Sequence, residues 1–315
     1  MHVLFRKELA DHLDSLRFLI IFIMSMLIAG VSLYSALGGI GGAAETAGAS
    51  DTIFLRLFTA NNGTIPSFAS FIALIGPLIG LLLGFDAING ERNGGTLDRL
   101  LAQPIHRDDV INGKFLAGVA VISIIMISMT LLLSGVGLFQ IGVPPSGEEV
   151  VRIMAFTFFS IVYTSFWLGL AILLSIVSRH AATSALVVIA VWLIMTFFMS
   201  LITTGLAGAI FPADSIEMAE RSLAFQQQFG RISPSVLYTE AIGTILDPAS
   251  RIVGGLAGIT SLVQYEQLTA AVAGVLPLGQ SLLLVWPHLV GLIALSLVTF
   301  VISYIVFMKQ EIRGA

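Results

Sequence analysis

Long apolar runs broken by short charged stretches set the outline of this chain. Six of them lie between charged residues: Arg17 and Glu45, Arg56 and Asp86, Lys114 and Glu148, Arg152 and Arg179, Arg179 and Asp214, and Glu266 and Lys309. A helix needs about 20 apolar residues to cross the hydrocarbon of a bilayer, so each run is long enough for one span. Apolar density places the helices near residues 18–36, 67–85, 115–139, 153–177, 184–204 and 284–307, and none of these stretches contains Asp, Glu, Lys or Arg. The pattern predicts an all-α, polytopic bundle of six transmembrane helices in a single domain over 1–315.

Ahead of the first run, residues 1–16 place Phe5, Leu9, Leu13 and Leu16 at helical spacing, with Arg6, Lys7, Asp11 and Asp14 elsewhere around the helix. That is the pattern of a helix lying in the membrane interface. A secretory leader fits poorly, because the apolar run after Arg17 is too long and acidic residues precede it. Basic residues orient the bundle, since cytoplasmic segments keep an excess of them. With the N-terminus inside, the inner segments hold Arg6, Lys7, Arg17, Arg92, Arg99, Arg107, Lys114, Arg179, Lys309 and Arg313, against Arg56, Arg152, Arg221, Arg231 and Arg251 outside. Both termini are expected in the cytoplasm.

Two polar regions interrupt the spans. The outer one, 205–283, predicts a helical hairpin capping the outer face before the last span. Asp214 and Glu217 are spaced as a capping box for a helix to about Phe229, Ser233-Pro234 starts a second helix, and Asp247-Pro248 stops it. Gln267 to Gln280 reads as a further re-entrant piece, separated from the final span by Pro277 and Pro287. In the inner one, 86–114, Gly94-Gly95 break the preceding helix, Thr96 is placed to accept the first free amides of the next, and Pro104 ends that helix near Gln103. Leu97, Leu100 and Leu101 share one face of it, flanked by Arg99 and Arg107. Such an apolar knob either lies on the bilayer or fills a groove in a partner.

Composition agrees with the membrane reading. Of 315 residues 57% are hydrophobic and 11% charged, and mean hydropathy is +0.98, whereas soluble domains carry roughly a quarter charged residues. The net charge of -4 leaves no electrostatic footprint for nucleic acid. Without cysteine there are no disulfides and no thiolates for catalysis or zinc. The histidines are scattered, and the sequence has no HExxH, no GxSxG and no GxxxxGK[ST] motif. Glycines 38, 39, 41 and 42 read as a flexible turn. His288, near the outer start of the last run, reads as structural or interfacial. Gly76, Gly80 and Gly84 repeat every four residues beside Pro77, a spacing that lets two membrane helices approach closely or form a moving seam. Ion-coupled carriers keep a carboxylate near the midplane. Here none is visible, so a transporter of this sequence needs an external energy source.

The succession Asp86, Glu91-Arg92, Gly95-Thr96-Leu97, Leu100-Leu101, Pro104, Arg107 and Gly113-Lys114 resembles the signature of the ABC type-2 permease family between its second and third spans. Phe5-Arg6-Lys7-Glu8-Leu9, Ser233-Pro234-Ser235-Val236-Leu237-Tyr238 and Gln310-Glu311-Ile312-Arg313 are similar to the subgroup that contains the permease of the nitrous oxide reductase maturation transporter. The resemblance implies the permease subunit of an ABC exporter in a prokaryotic inner membrane. Its energy would come from a separate cytoplasmic ABC ATPase that carries the ATP and Mg, with no cofactor in this chain. A second permease copy and membrane lipids would be its other partners. It implies further that residues 1–16 form an elbow helix and that 86–114 hold a cytoplasmic coupling helix, with Glu91, Gly95, Thr96, Leu97, Leu100, Leu101, Pro104 and Arg107 contacting the ATPase. An intramembrane enzyme would need paired polar catalytic residues at one depth, which the sequence does not offer, and a membrane scaffold or sensor would share the bundle but has no use for the 86–114 signature.

Overall fold

A computed structural model describes residues 2–43, 54–96, 106–212, 216–247 and 276–309, and every regular element among them is a helix. α1 (His2–Leu13) and α2 (Leu16–Ala43) meet at Ser15, whose hydroxyl donates to the His12 carbonyl and accepts the Phe18 amide. One side chain thereby closes one helix and opens the next. A single turn, α3 (Arg56–Thr59), precedes α4 (Phe68–Gly84) and α5 (Asn89–Asn93). Then come α6 (Arg107–Ile141) and α7 (Gly147–Val177), joined by a tight link in which Gly142 takes a left-handed φ of 73° and Ser146 opens α7 with a full capping box to Glu149. α8 (Ala181–Leu193) runs through a π-helical turn (Ile194–Phe198) into α9 (Met199–Ile210), and α10 (Ile216–Gly230), α11 (Pro234–Leu246) and α12 (Leu278–Lys309) complete the chain.

Six stretches are long and apolar enough to cross a membrane: α2 to Gly38, α4 with α5, α6, α7, α8 with α9, and α12. They coincide with the six predicted runs. Because they alternate in direction, α1, α5, the start of α6 and the end of α12 share the N-terminal side, while α3, α10 and the start of α7 share the far side.

α7 is the axis of the bundle. In its most apolar window 67% of residues are buried, against 28% for α2 and 11% for both α8–α9 and α12. Trp167, Tyr163 and Arg152 on α7 are its bulkiest enclosed side chains. Since lipid tails are as apolar as leucine, contact quality rather than transfer from water holds such helices together. α4 supplies that contact with Gly76, Gly80 and Gly84. A Cβ at Gly80 would lie 2.6 Å from the Thr164 carbonyl oxygen and 2.7 Å from the Leu168 nitrogen, and one at Gly84 2.8 Å from the Ala171 Cβ. The two backbones approach as closely as glycine permits.

Four features depart from the sequence expectations. α2 continues through the glycine-rich stretch to Ala43, where a turn was expected, because consecutive glycines weaken a helix without forbidding it. Pro287 lies inside α12 and does not separate it from a preceding piece; in a membrane bundle neighbouring groups tolerate such a proline. Most of Gln267 to Gln280 lies outside the described residues. The hairpin also differs from a cap on the outer face: α11 is inserted between α7 and α12, burying Leu237, Tyr238, Ala241, Ile242 and Ile245. Its apolar face is wide enough to need protein on several sides. Finally, the predicted spans are charge-free only as trimmed. α6 begins at Arg107 and α7 at Gly147, so Lys114 and Arg152 fall within helices and are buried, 7% and 1% exposed.

Candidate functional site

The segment between α4 and α6 is fastened at several points on the N-terminal side. The Lys114 ammonium donates to the Glu8 carboxylate of α1 at 2.9 Å and to the Glu91 carboxylate of α5 at 2.7 Å. Arg17 pairs with Asp86 and stacks over the Phe85 ring. The Ser175 hydroxyl at the end of α7 accepts the amides of Ile88 and Asn89, and the Asn93 side chain donates to the Arg179 carbonyl. α1 reaches this cluster through Leu4 and Glu8, with Gly113 of α6 packed on Leu4. Of the apolar stripe chosen from the sequence, Leu9 packs against the core while Leu13 and Leu16 stay exposed.

Of the residues singled out for partner contact, Glu91 is on α5, Gly95 takes a φ of 66° with no neighbour around its Cβ position, and Arg107 starts α6. The Thr96 hydroxyl donates back to the Glu91 carbonyl at 3.2 Å. The amides it was expected to accept belong to residues beyond the described ones, as do Leu97, Leu100, Leu101 and Pro104. The break at Gly94-Gly95 has a steric cause, because a left-handed residue ends a helix most cheaply when it has no Cβ.

Halfway along α7 a thread of hydroxyls crosses the bundle. The Tyr163 hydroxyl donates to the Ala73 carbonyl at 2.8 Å and lies 3.0 Å from the Ser235 hydroxyl, which is 2.9 Å from that of Thr196. The Ser160 and Tyr238 hydroxyls are 2.8 Å apart. The π-helical turn leaves the Met195 carbonyl open to the Ser233 hydroxyl, 2.7 Å away. Ser233 therefore anchors the start of α11 to the middle of α8–α9, and makes no cap to its own helix.

On the far side Arg152 joins three elements. It bonds Glu148 on its own helix, the Ile245 carbonyl at the end of α11, and the Leu276 carbonyl and Ser281 hydroxyl at the start of α12. The Glu149 carboxylate accepts the Phe54 amide, drawing Phe54, Leu55, Leu57 and Phe58 into the core beside Phe68 and Phe156. His288 is not isolated: its Nε2 lies 2.9 Å from the Glu240 carboxylate, which also accepts from Arg231. Sequence reasoning missed these partners because Glu8, Arg152 and Glu240 meet their distant counterparts only after folding.

No cluster of three or more His, Asp or Glu side chains suited to a metal occurs among the described residues. What the arrangement provides is mechanical: a charged, multiply tied segment on one side, and on the other a helix inserted into the bundle through exchangeable hydroxyl bonds.

The model of the ABC-2 family transporter proteins matches residues 2–312. The probable ABC transporter permease protein NosY of Pseudomonas aeruginosa is 32% identical over 200 residues, 62% of this chain and 66% of that protein. The protein of the same description from Stutzerimonas stutzeri is 41% identical over 110 residues, 35% of each chain. The aligned part is thus under two thirds of the length of either relative. With a family match over nearly its whole length and six helices fit to span a membrane, this multi-pass protein belongs to the ABC-2 transporter family.

Proposed function

We propose that the chain is the membrane-spanning permease subunit of an ABC exporter, driven by ATP hydrolysis in a separate ATPase subunit docked on the N-terminal side. The observation that carries this reading is the family match over residues 2–312, and both relatives bear the description of ABC transporter permease. The sequence lacks a phosphate loop, which accords with ATP and Mg residing on the partner. The side that holds 86–114 is the cytoplasmic one, both termini lie there, and the membrane is the inner membrane of a prokaryote.

A second permease copy completes the transporter. In support, α2 and α8–α9 bury little of their apolar surface in one chain, and a shallow cavity of about 640 Å³ on α2 is lined by Phe22, Met26, Gly30, Tyr34 and Ile65. Lipid covers whatever apolar surface the second copy leaves.

The test is capture of the ATPase. Leu100→Ala with Leu101→Ala removes apolar contact worth about 2 to 4 kcal/mol at roughly 25 cal/mol per Å², so association should weaken by tens-fold to several-hundred-fold at about 1.4 kcal/mol per decade. The double variant should insert normally and lose the ATPase. Wild-type stoichiometry of the ATPase in the variant complex would remove these leucines from the contact, and failure of any ABC ATPase to copurify with the unaltered chain would remove the reading itself.

A further inference from the structure

Lys114 is enclosed where three elements meet. Its ammonium is the common partner of two carboxylates from different elements, Glu8 of α1 and Glu91 of α5, and all three side chains are largely enclosed, 7%, 7% and 20% exposed. Glu91 and Lys114 are 23 residues apart and stand at the two stems of the segment that would carry the coupling helix, one before it and one after. Their bond closes that segment into a loop. Glu8 then fastens the closed loop to α1, with Leu4 packed on Gly113 one turn away along α1. Removing the ammonium leaves two largely enclosed carboxylates facing each other without their common partner, which is costly.

We propose that Lys114 is the positioning residue of this transporter: it locks the two stems of the 86–114 segment and α1 into one rigid unit, so that a push on the coupling helix is delivered to α1 and α6 together. The inference rests on the permease reading for its purpose, but the rigid unit itself is a property of this chain alone. Lys114 touches neither nucleotide nor substrate; it acts through the elements it joins. The flanking pairs work in the same sense. Arg17–Asp86 holds the entry of the segment against the start of α2, and Ser175 holds Ile88 and Asn89 against the end of α7, which ties the first stem to two more helices.

The absence of cysteine from the sequence makes the test direct. Spin labels at Val3→Cys on α1 and Asn93→Cys on α5, both exposed positions, report the distance between the two elements. In the full chain, in nanodiscs without any ATPase, the distance distribution should be narrow; Lys114→Met should broaden it, and Lys114→Arg should largely restore it. The triple variant Glu8→Lys, Glu91→Lys, Lys114→Glu, which inverts the three charges of the bridge and is made in a Lys7→Gln background because Lys7 also bonds Glu8 at 3.3 Å, should also restore it. A narrow distribution in Lys114→Met, or a broad one in the triple variant, would overturn the proposal, since the first means that packing alone holds the unit and the second that the bridge does not. In the complex with the ATPase, ATP-dependent movement at α6 should fall by about tenfold in Lys114→Met, within the range of measured coupling between sites, and recover in the triple variant. Unchanged movement in Lys114→Met would likewise overturn it. If no ATPase associates with the unaltered chain, the permease reading fails while the distance measurements still decide the rigid unit.

Discussion

The hydroxyl of Tyr163 donates to the carbonyl of Ala73, 90 residues earlier and on another helix. Ala73 lies four residues before Pro77, which has no amide hydrogen to give it. A buried carbonyl left without a donor costs about 1 to 3 kcal/mol, so the tyrosine completes a hydrogen-bond ladder that the proline interrupts. The same ring stacks on Tyr238 of α11, centroids 4.4 Å apart and planes 12° from parallel. One residue thus repairs α4 and seats the inserted helix.

Tyr163→Phe should destabilise the bundle by about 1 to 3 kcal/mol in thermal unfolding in detergent. Pro77→Ala alone restores the amide donor, so in the double variant the cost of losing the hydroxyl should largely vanish. Additive losses in the double variant would disconnect the two residues.

Gly80→Ala should be the most damaging of the small-residue changes on α4, because its Cβ meets backbone atoms of α7, which cannot rotate away. Overpacking of this kind costs about 1 to 3 kcal/mol or more. Gly135→Ala on α6, with nothing within 4 Å of its Cβ position, should be neutral or gain a few tenths of a kcal/mol from helix propensity. Melting curves of the two variants check the contrast.

Arg152→Met should release the end of α11 and the start of α12 together, since one guanidinium serves the Ile245 and Leu276 carbonyls. Breaking a buried charged junction typically costs about 3 to 5 kcal/mol, partly relieved here because Glu148 is half exposed. Amide exchange at Ile245 and Leu246 should rise above that of the α7 core.

The docking of α1 should depend on pH. Burial holds the His12 imidazole below its ordinary value of 6.5, outweighing the attraction of Glu8, and the repulsion of Lys114 adds to it. The unfolded form therefore takes up a proton at a pH where the docked form does not. Stability of the docked helix is full above 6.5 and falls as the pH drops below it, until His12 protonates in place as well. Protection factors across α1, which take out the intrinsic pH dependence of amide exchange, should fall on acidification from pH 7, and His12→Gln should flatten that dependence.

The spans were legible because apolar length is a direct demand of the bilayer, and Asp247-Pro248 marked the end of α11 because a residue before proline avoids the helical region. The Tyr163–Ala73 bond was half legible: Pro77 announces an orphaned carbonyl, but not which hydroxyl supplies the donor. Lys114 and Arg152 were hidden for a different reason. Trimming by apolar density discards the charged ends of long helices, and it is there that cross-element pairs form. α11 has the length of a surface helix, so only the enclosed face of Leu237, Ala241 and Ile245 reveals that it enters the bundle.

The π-helical turn at Ile194–Phe198 has an effect on the phase of the span that contains it. A π turn takes up one residue more than an α turn, so the positions after it depart from the phase counted along the sequence by about 100°, at 3.6 residues per turn. α8 and α9 therefore present differently phased faces although they form one continuous rod. Ser184 and Val188 are buried on α8, and Met199, Thr203 and Ala207 on α9. Deleting one residue from the turn would close the α-helical ladder with those three α9 side chains still in their present orientation, and Ser233 would lose the carbonyl that holds it. The span is in this sense a pair of half-helices whose sequence patterns are offset by the one residue that a single turn absorbs.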